Sequence, residues 1–208
     1  MAIKKARPPR KETVGAQYIC FAKPGTEGEW SKEYEDEVEK TSVVKSVKVN
    51  ENADSSDVYG SGEVYDTDFS KAAATIEVEV LAFPVDTIAK MRGETCDENG
   101  LFTGGGNMTR PFFGYGKVVK LKNDNIRMEW YPKCKLTENS DEISTSEEKP
   151  SEQNDTLTIS AYAIDDKGNK KVYVDSSAKT FPEGLTEEKF FKKVILESAD
   201  LTAALAGE

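Results

Sequence analysis

Polar and apolar residues alternate most strictly between Thr75 and Ala82. Ile76, Val78, Val80 and Ala82 share one parity, and Thr75, Glu77 and Glu79 the other. A period of two belongs to a strand with one face in a core and the other toward solvent. Pro84 then fixes a φ suited to a first helical turn, Val85, Ile88 and Ala89 recur at i, i+3 and i+4, and Gly93 offers a stop. That spacing predicts a short flanking helix over about 84–92. Its apolar face, Val85, Ile88 and Ala89, is expected to meet Ile76, Val78 and Val80.

The same reading extends along the chain. TVGAQYICFA (13–22) is apolar on both parities, as in a strand buried on both faces or paired inside an assembly. The charged run Glu27–Lys40 leaves open a loop or a short helix with Trp30 and Tyr34 at i, i+4. Val43, Val47 and Val49 alternate in a further strand. Residues 50–74 are polar and acidic but carry two β-like patches, Val58–Tyr59 and Val64–Tyr65, as in an arm or hairpin that makes contacts or a plain surface loop. PFFGYGKVVKL and IRMEWYPKCKL flank a 122–125 turn and predict a hairpin, with Ile126, Met128 and Trp130 on one face and Pro132 requiring an edge or bulge. Residues 137–155 hold seven acids against one lysine, the composition of a solvated loop. A second hairpin is expected to run Leu157–Ile159–Ala161–Ala163, turn at Asp165–Asn169 and return through Val172 and Val174. Thr186 caps a C-terminal helix of about 187–197 with Phe190, Phe191, Val194 and Ile195 inward, and the residues after Asp200 are expected to fray.

These elements sum to six to eight strands, mostly joined as hairpins, plus two helices. The fold class is mainly β (α+β), an antiparallel sandwich or barrel-like subunit. The expected organisation is one domain, 1–208, with a basic flexible N-terminus (1–12), a protruding arm (50–74) and an acidic loop (137–155).

Charge and composition narrow the chemistry. The formal net charge is −10, yet Lys4, Lys5, Arg7, Arg10 and Lys11 make the start of the chain basic. An acidic surface repels a phosphate backbone. Histidine is absent, which removes the usual general base, the common protease dyads and the commonest metal ligand. Cys20, Cys96 and Cys134 are an odd number without C-x-x-C spacing, so neither a disulfide framework nor a zinc ribbon is expected. S-x-x-K recurs without its companion motifs, Gly104–Gly106 lacks the rest of a phosphate loop, and the paired acids lack calcium-loop spacing. No catalytic, cofactor-binding or metal-binding residue is assigned. With no apolar leader and no long apolar run, the chain is read as neither exported by a signal peptide nor membrane-spanning, and as made in cytoplasm.

Taken together, YGSGEVYDTDFS, TIEVEVLAFPVDTIAKMRG, the Asn99–Gly100 turn, PFFGYGKVVKLKNDNIRMEWYPKCKLTENSDE and NDTLTISAYA resemble the major tail proteins of long-tailed bacteriophages (siphophages) of Gram-positive hosts. The likeness runs from about Val43 to about Ser198. It implies a non-enzymatic virion protein without cofactors. Such subunits form hexameric rings that stack into a tail tube, work with a tape measure and a tail terminator, and let DNA pass through the lumen during ejection without specific binding. On that resemblance the arm would reach a neighbouring ring, which makes Val58, Tyr59, Val64 and Tyr65 candidate assembly residues. Glu77 and Glu79 become candidate lumen or interface charges. The competing reading is a monomeric β-sandwich binding or adhesion module, and a hydrolase would need a histidine-free mechanism.

Overall fold

Strands dominate the computed structural model, which describes residues 8–51, 55–60, 63–69, 73–106, 109–140 and 154–207, with residues 27, 55–60 and 63–69 in backbone only. The basic residues 1–7 and most of the acidic stretch, 141–153, lie outside the described residues. In chain order the strands are β1 (Lys11–Pro24), β2 (Trp30–Tyr34), β3 (Glu39–Thr41), β4 (Val44–Asn50), β5 (Ser55–Gly60), β6 (Glu63–Phe69) and β7 (Ala74–Val80). They continue as β8 (Thr95–Cys96), β9 (Phe102–Thr103), β10 (Phe113–Leu121), β11 (Ile126–Ser140), β12 (Asp155–Ala161) and β13 (Val172–Asp175). The α-helices are α1 (Val85–Arg92), α2 (Glu187–Phe191) and α3 (Ser198–Ala206). The fold is mainly β and antiparallel, as the alternation predicts.

The chain divides into two compact units: Met1–Val44 with Phe113–Pro132 and Lys171–Glu208, and Lys45–Phe112 with Lys133–Lys170. In the first unit β10 pairs with β1 in register Tyr18↔Gly116, and β13 pairs with the start of β11 in register Met128↔Val174. Alternation sends Tyr18, Cys20, Val118, Met128 and Trp130 to one face, where Leu185, Phe190, Phe191, Val194 and Ile195 cover them. Phe191 stacks on Tyr18 with centroids 3.8 Å apart and meets Trp130 at 5.2 Å. The Trp130 indole donates to the Phe190 carbonyl at 3.3 Å. Gly116 makes this approach possible, because a Cβ there would stand 2.7 Å from the Phe191 ring. The opposite face is polar along one row, Thr41–Gln17–Lys117, continued by an ion pair from Lys117 to Glu129 at 3.2 Å.

In the second unit β12 lies between β11 and β7, and β4 lies beyond β7. Leu136–Ile159–Ile76 and Cys134–Ala161–Ala74 form cross-strand rows, and all six residues are buried. The sequence reading of β7 holds for Ile76, Val78 and Val80, which are 0% exposed, but not for Ala82, which lies beyond the end of the strand and is exposed. Helix α1 forms as expected and ends at Gly93, whose φ of 76° lets its N–H bond back to Ala89 and Lys90. Its inward face differs from the expected one. Val85 is 62% exposed, whereas Thr87, Ala89 and Met91 are buried. Thr87 and Met91 form the i, i+4 pair, and counting apolar residues alone passes over the threonine.

Other expectations need correction. The charged run is neither loop nor α-helix but β2 and β3 after a short 3-10 turn at Thr26–Gly28. Lys32 at φ 62° bulges β2, so Trp30 and Tyr34 still meet, through a 3.2 Å hydrogen bond from the indole to the phenol oxygen. The second hairpin does not form: β12 has both edges occupied by β11 and β7, so β13 bonds instead to Arg127–Trp130. Strand β11 continues to Ser140, so Thr137–Ser140 are strand and not loop. The helix expected over about 187–197 stops at Phe191, and α3 follows at Ser198–Ala206 where fraying was expected. Lys189 and Lys192 donate to the Leu205 and Gly207 carbonyls at the end of α3, supplying a cationic C-terminal cap.

A charged trio ties α2 to the sheet. Lys40 donates to Glu187 at 2.8 Å, and the Tyr18 hydroxyl donates to the same oxygen. Burial pushes the Glu187 carboxyl up, but these hydrogen bonds outweigh it and hold the group below its ordinary value of 4.5. Burial and the Glu187 hydrogen bond push Tyr18 up to about 12.

Two predictions follow from this packing. Phe191→Ala removes the ring that Tyr18 and Trp130 share, and lowers unfolding stability by about 3–5 kcal/mol in urea titration. Glu187→Gln costs about 1 kcal/mol at neutral pH, the trio being partly solvated. A depressed carboxyl contributes above its unfolded value and loses that contribution as pH falls, while a raised phenol contributes below about 10 and loses it toward 12. The melting-temperature gap between wild type and Glu187→Gln is therefore expected to be flat from about pH 5.5 to 9, and to close in acid.

Candidate functional site

The alternation that buries one face of the second unit's sheet leaves the other polar. Its rows are Lys135–Ser160–Thr75, then Glu138–Thr158–Glu77, then Ser140–Thr156–Glu79. An extra residue, Thr137, bulges from β11 between Leu136 and Glu138, and its hydroxyl lies 2.6 Å from that of Ser160. From β4, Lys48 reaches Glu77 at 3.1 Å and Ser46 donates to Glu79 at 3.2 Å. Asn154 donates to the other Glu79 oxygen at 3.0 Å. Both glutamates therefore lie on one half-exposed face, each held by a named partner. The sequence marked Glu77 and Glu79 by parity. It missed Ser46, Lys48 and Asn154, although the alternation of valines with polar residues in SVVKSVKV carried the signal for the first two.

Strand β4 ends its sheet, so among the described residues one edge of Val44–Asn50 has no bonded strand. Such an edge is a template for another strand, and its exposed Lys45 and Lys48 are residues that limit indiscriminate pairing. Strands β5 and β6 form a separate two-stranded sheet. Tyr59 pairs with Val64, Val58 pairs with Asp66, and the register shift between them makes Tyr65 the extra residue. The backbone thus brings Val58, Tyr59, Val64 and Tyr65 together near one end of a hairpin.

Pocket chemistry is sparse. A cavity of about 330 Å³ in the second unit is lined by Arg92, Glu94, Gly105, Gly106, Arg110, Leu136 and Asn139. Arg110 donates to the Leu136 and Thr137 carbonyls, Arg92 pairs with Glu94 at 3.6 Å, and Gly104 lies against the Glu94 carboxylate. A phosphate entering there would meet that carboxylate. Asp97 and Asp165 act as turn residues: Asp97 accepts the Leu101 backbone N–H, and Asp165 accepts the Asn169 side-chain amide and its backbone N–H, bonds that hold both carboxyls below their ordinary value. Among the described residues no cluster of His, Cys, Asp or Glu is placed to hold a metal, and no helix is long and apolar enough to cross a membrane.

These features define a mainly β protein whose organised polar chemistry lies on sheet faces, an open edge and a separate hairpin. The model of the phage tail tube protein family matches residues 44–200, from the first residue of β4 into α3, and the chain belongs to that family. It is accordingly a structural component of a virion tail, a multi-subunit assembly that includes other tail proteins. No curated protein matches the chain.

Half-exposed ion pairs contribute little to a fold, typically under about 1 kcal/mol. Glu77→Gln and Glu79→Gln are each expected to leave unfolding stability within about 1 kcal/mol of wild type in thermal or urea melts, so their placement is not explained by stability alone.

Proposed function

We propose that this chain is the repeating subunit of the tail tube of a siphophage of a Gram-positive host, with six copies closing a ring and rings stacking around a channel. The family match over residues 44–200 carries the reading. The β4 edge supports it: among the described residues no strand bonds to it, and a strand of another copy can add there. The 50–74 segment, with its β5–β6 hairpin, serves as the arm between copies, and Val58, Tyr59, Val64 and Tyr65 belong to its contact surface. Its partners are other tail proteins such as a tape measure and a tail terminator. The subunit is made in the host cytoplasm and performs no covalent chemistry.

In this reading Glu77 and Glu79 line the channel, and the Lys135–Ser160–Thr75 row at the end of their face stands clear of it. With the chain at −10, a negative wall repels a phosphate backbone and lets DNA slide without sticking. Purified, concentrated protein is expected to form rings or tubes of uniform diameter in negative-stain images. Monodisperse monomers at every salt and protein concentration tried would favour the binding-module reading instead. Tubes of the double variant Glu77→Lys/Glu79→Lys are expected to retain linear DNA in co-sedimentation at low salt, where wild-type tubes do not, and that retention is expected to fall as salt rises. Equal, negligible retention by both would remove these residues from the channel wall.

A further inference from the structure

We propose that a cationic, aromatic patch on the second unit is the docking site for the β5–β6 hairpin of another copy of this chain, an inference that rests on the tube reading. The patch is built by Phe112, Lys133, Lys135 and Tyr162. Lys135 places its ammonium 4.1 Å from the centre of the Phe112 ring and Lys133 places its own at 5.7 Å. Tyr162 meets Phe112 edge-on at 6.3 Å and is 37% exposed. The Tyr162 N–H bonds to the Lys133 carbonyl at 2.8 Å, which fixes the two walls of the patch to each other. Lys135 forms no ion pair among the described residues, and its strand partner is Ser160. Two cations, Lys133 and Lys135, therefore gather over the Phe112 ring, with Tyr162 at its edge, on a chain whose net charge is −10.

The hairpin has the complementary composition. Between Ser55 and Phe69 it carries Asp57, Glu63, Asp66 and Asp68, no Lys or Arg, and three aromatic residues, Tyr59, Tyr65 and Phe69. Acids opposite Lys133 and Lys135 would steer the encounter, and aromatic packing against Phe112 and Tyr162 would supply contact area. The chain's own 141–153 segment is also acidic but carries no aromatic residue. A nucleic-acid phosphate fits two cations as well, but the net negative charge of the whole chain opposes it.

The test uses charge exchange and cross-linking in the full chain. Lys133→Glu/Lys135→Glu and, separately, Asp66→Lys/Asp68→Lys are expected to cut the sedimentable, assembled fraction at least about tenfold while melting as cooperatively as wild type. The chain carrying all four changes is expected to recover at least about half of wild-type assembly. In a Cys96→Ser background, mixing one chain bearing Lys135→Cys with a second bearing Asp66→Cys is expected to give a disulfide-linked heterodimer on mild oxidation. That second readout stands even where a charge-reversed variant fails to fold. Normal assembly of either charge-reversed pair, absence of rescue, absence of the heterodimer, or assembly that persists while only DNA retention falls would each overturn the docking and leave the tube reading intact. Wild-type protein that never assembles would overturn both.

Discussion

Every strand presents hydrogen-bonding groups along two edges, and the obligation to satisfy both decides the layout of this chain. Strand β11 meets it along one stretch with β13, through Trp130↔Val172, and along the next with β12, starting from Cys134↔Ala161. Pro132, which has no N–H to donate, falls between these two stretches. The residue that seemed hardest to place in a central strand thus occupies the gap between its partners. β12 is then bonded on both sides, and among the described residues β4 ends its sheet with no strand bonded to its other edge.

Local chemistry was legible in the sequence. The alternation in TIEVEV gave the faces of β7 correctly, because a period of two reports burial directly. The 122–125 turn and the Gly93 stop were legible for the same reason: Asn123 and Asp124 sit at φ 63° and 57°, and Gly93 at 76°. Partner choice was not legible. Val172 and Val174 follow β12 across a well-marked turn, and nothing local says that β12 has no edge left for them. Thr137–Ser140 looked like a loop because these residues belong to a polar face, where composition does not separate strand from coil. The start of α3 was hidden because its cap is Glu197, paired with Asp200 in a reciprocal capping box, and glutamate is not a favoured N-cap residue. Phe190, Phe191, Val194 and Ile195 are all buried as expected, but only the first two are helical.

The candidate site was half legible. Glu77 and Glu79 were marked by parity alone, while their holders come from β4 and from Asn154, which lies beside β12. The cationic, aromatic patch was half legible: Phe112 meets Lys133 and Lys135 through the expected pairing of β10 with β11, whereas Tyr162 reaches it through the pairing of β11 with β12. Magnitudes decide how such groups should be read. Aromatic packing around Phe191 is worth several kcal/mol and holds a unit together, whereas exposed pairs such as Lys48–Glu77 are worth about a tenth to a third of that. Surface charge in this chain is better understood through what it attracts or repels in an assembly than through what it adds to folding.

The account turns on a tube of copies with the Glu77/Glu79 face toward an open channel. A cryo-electron microscopy reconstruction of the assembled chain tests this most directly. The account predicts stacked six-fold rings around a hollow lumen, with Glu77 and Glu79 on its wall. Filaments without a channel, or tubes in which Glu77 and Glu79 themselves are buried against a neighbouring subunit, would contradict it.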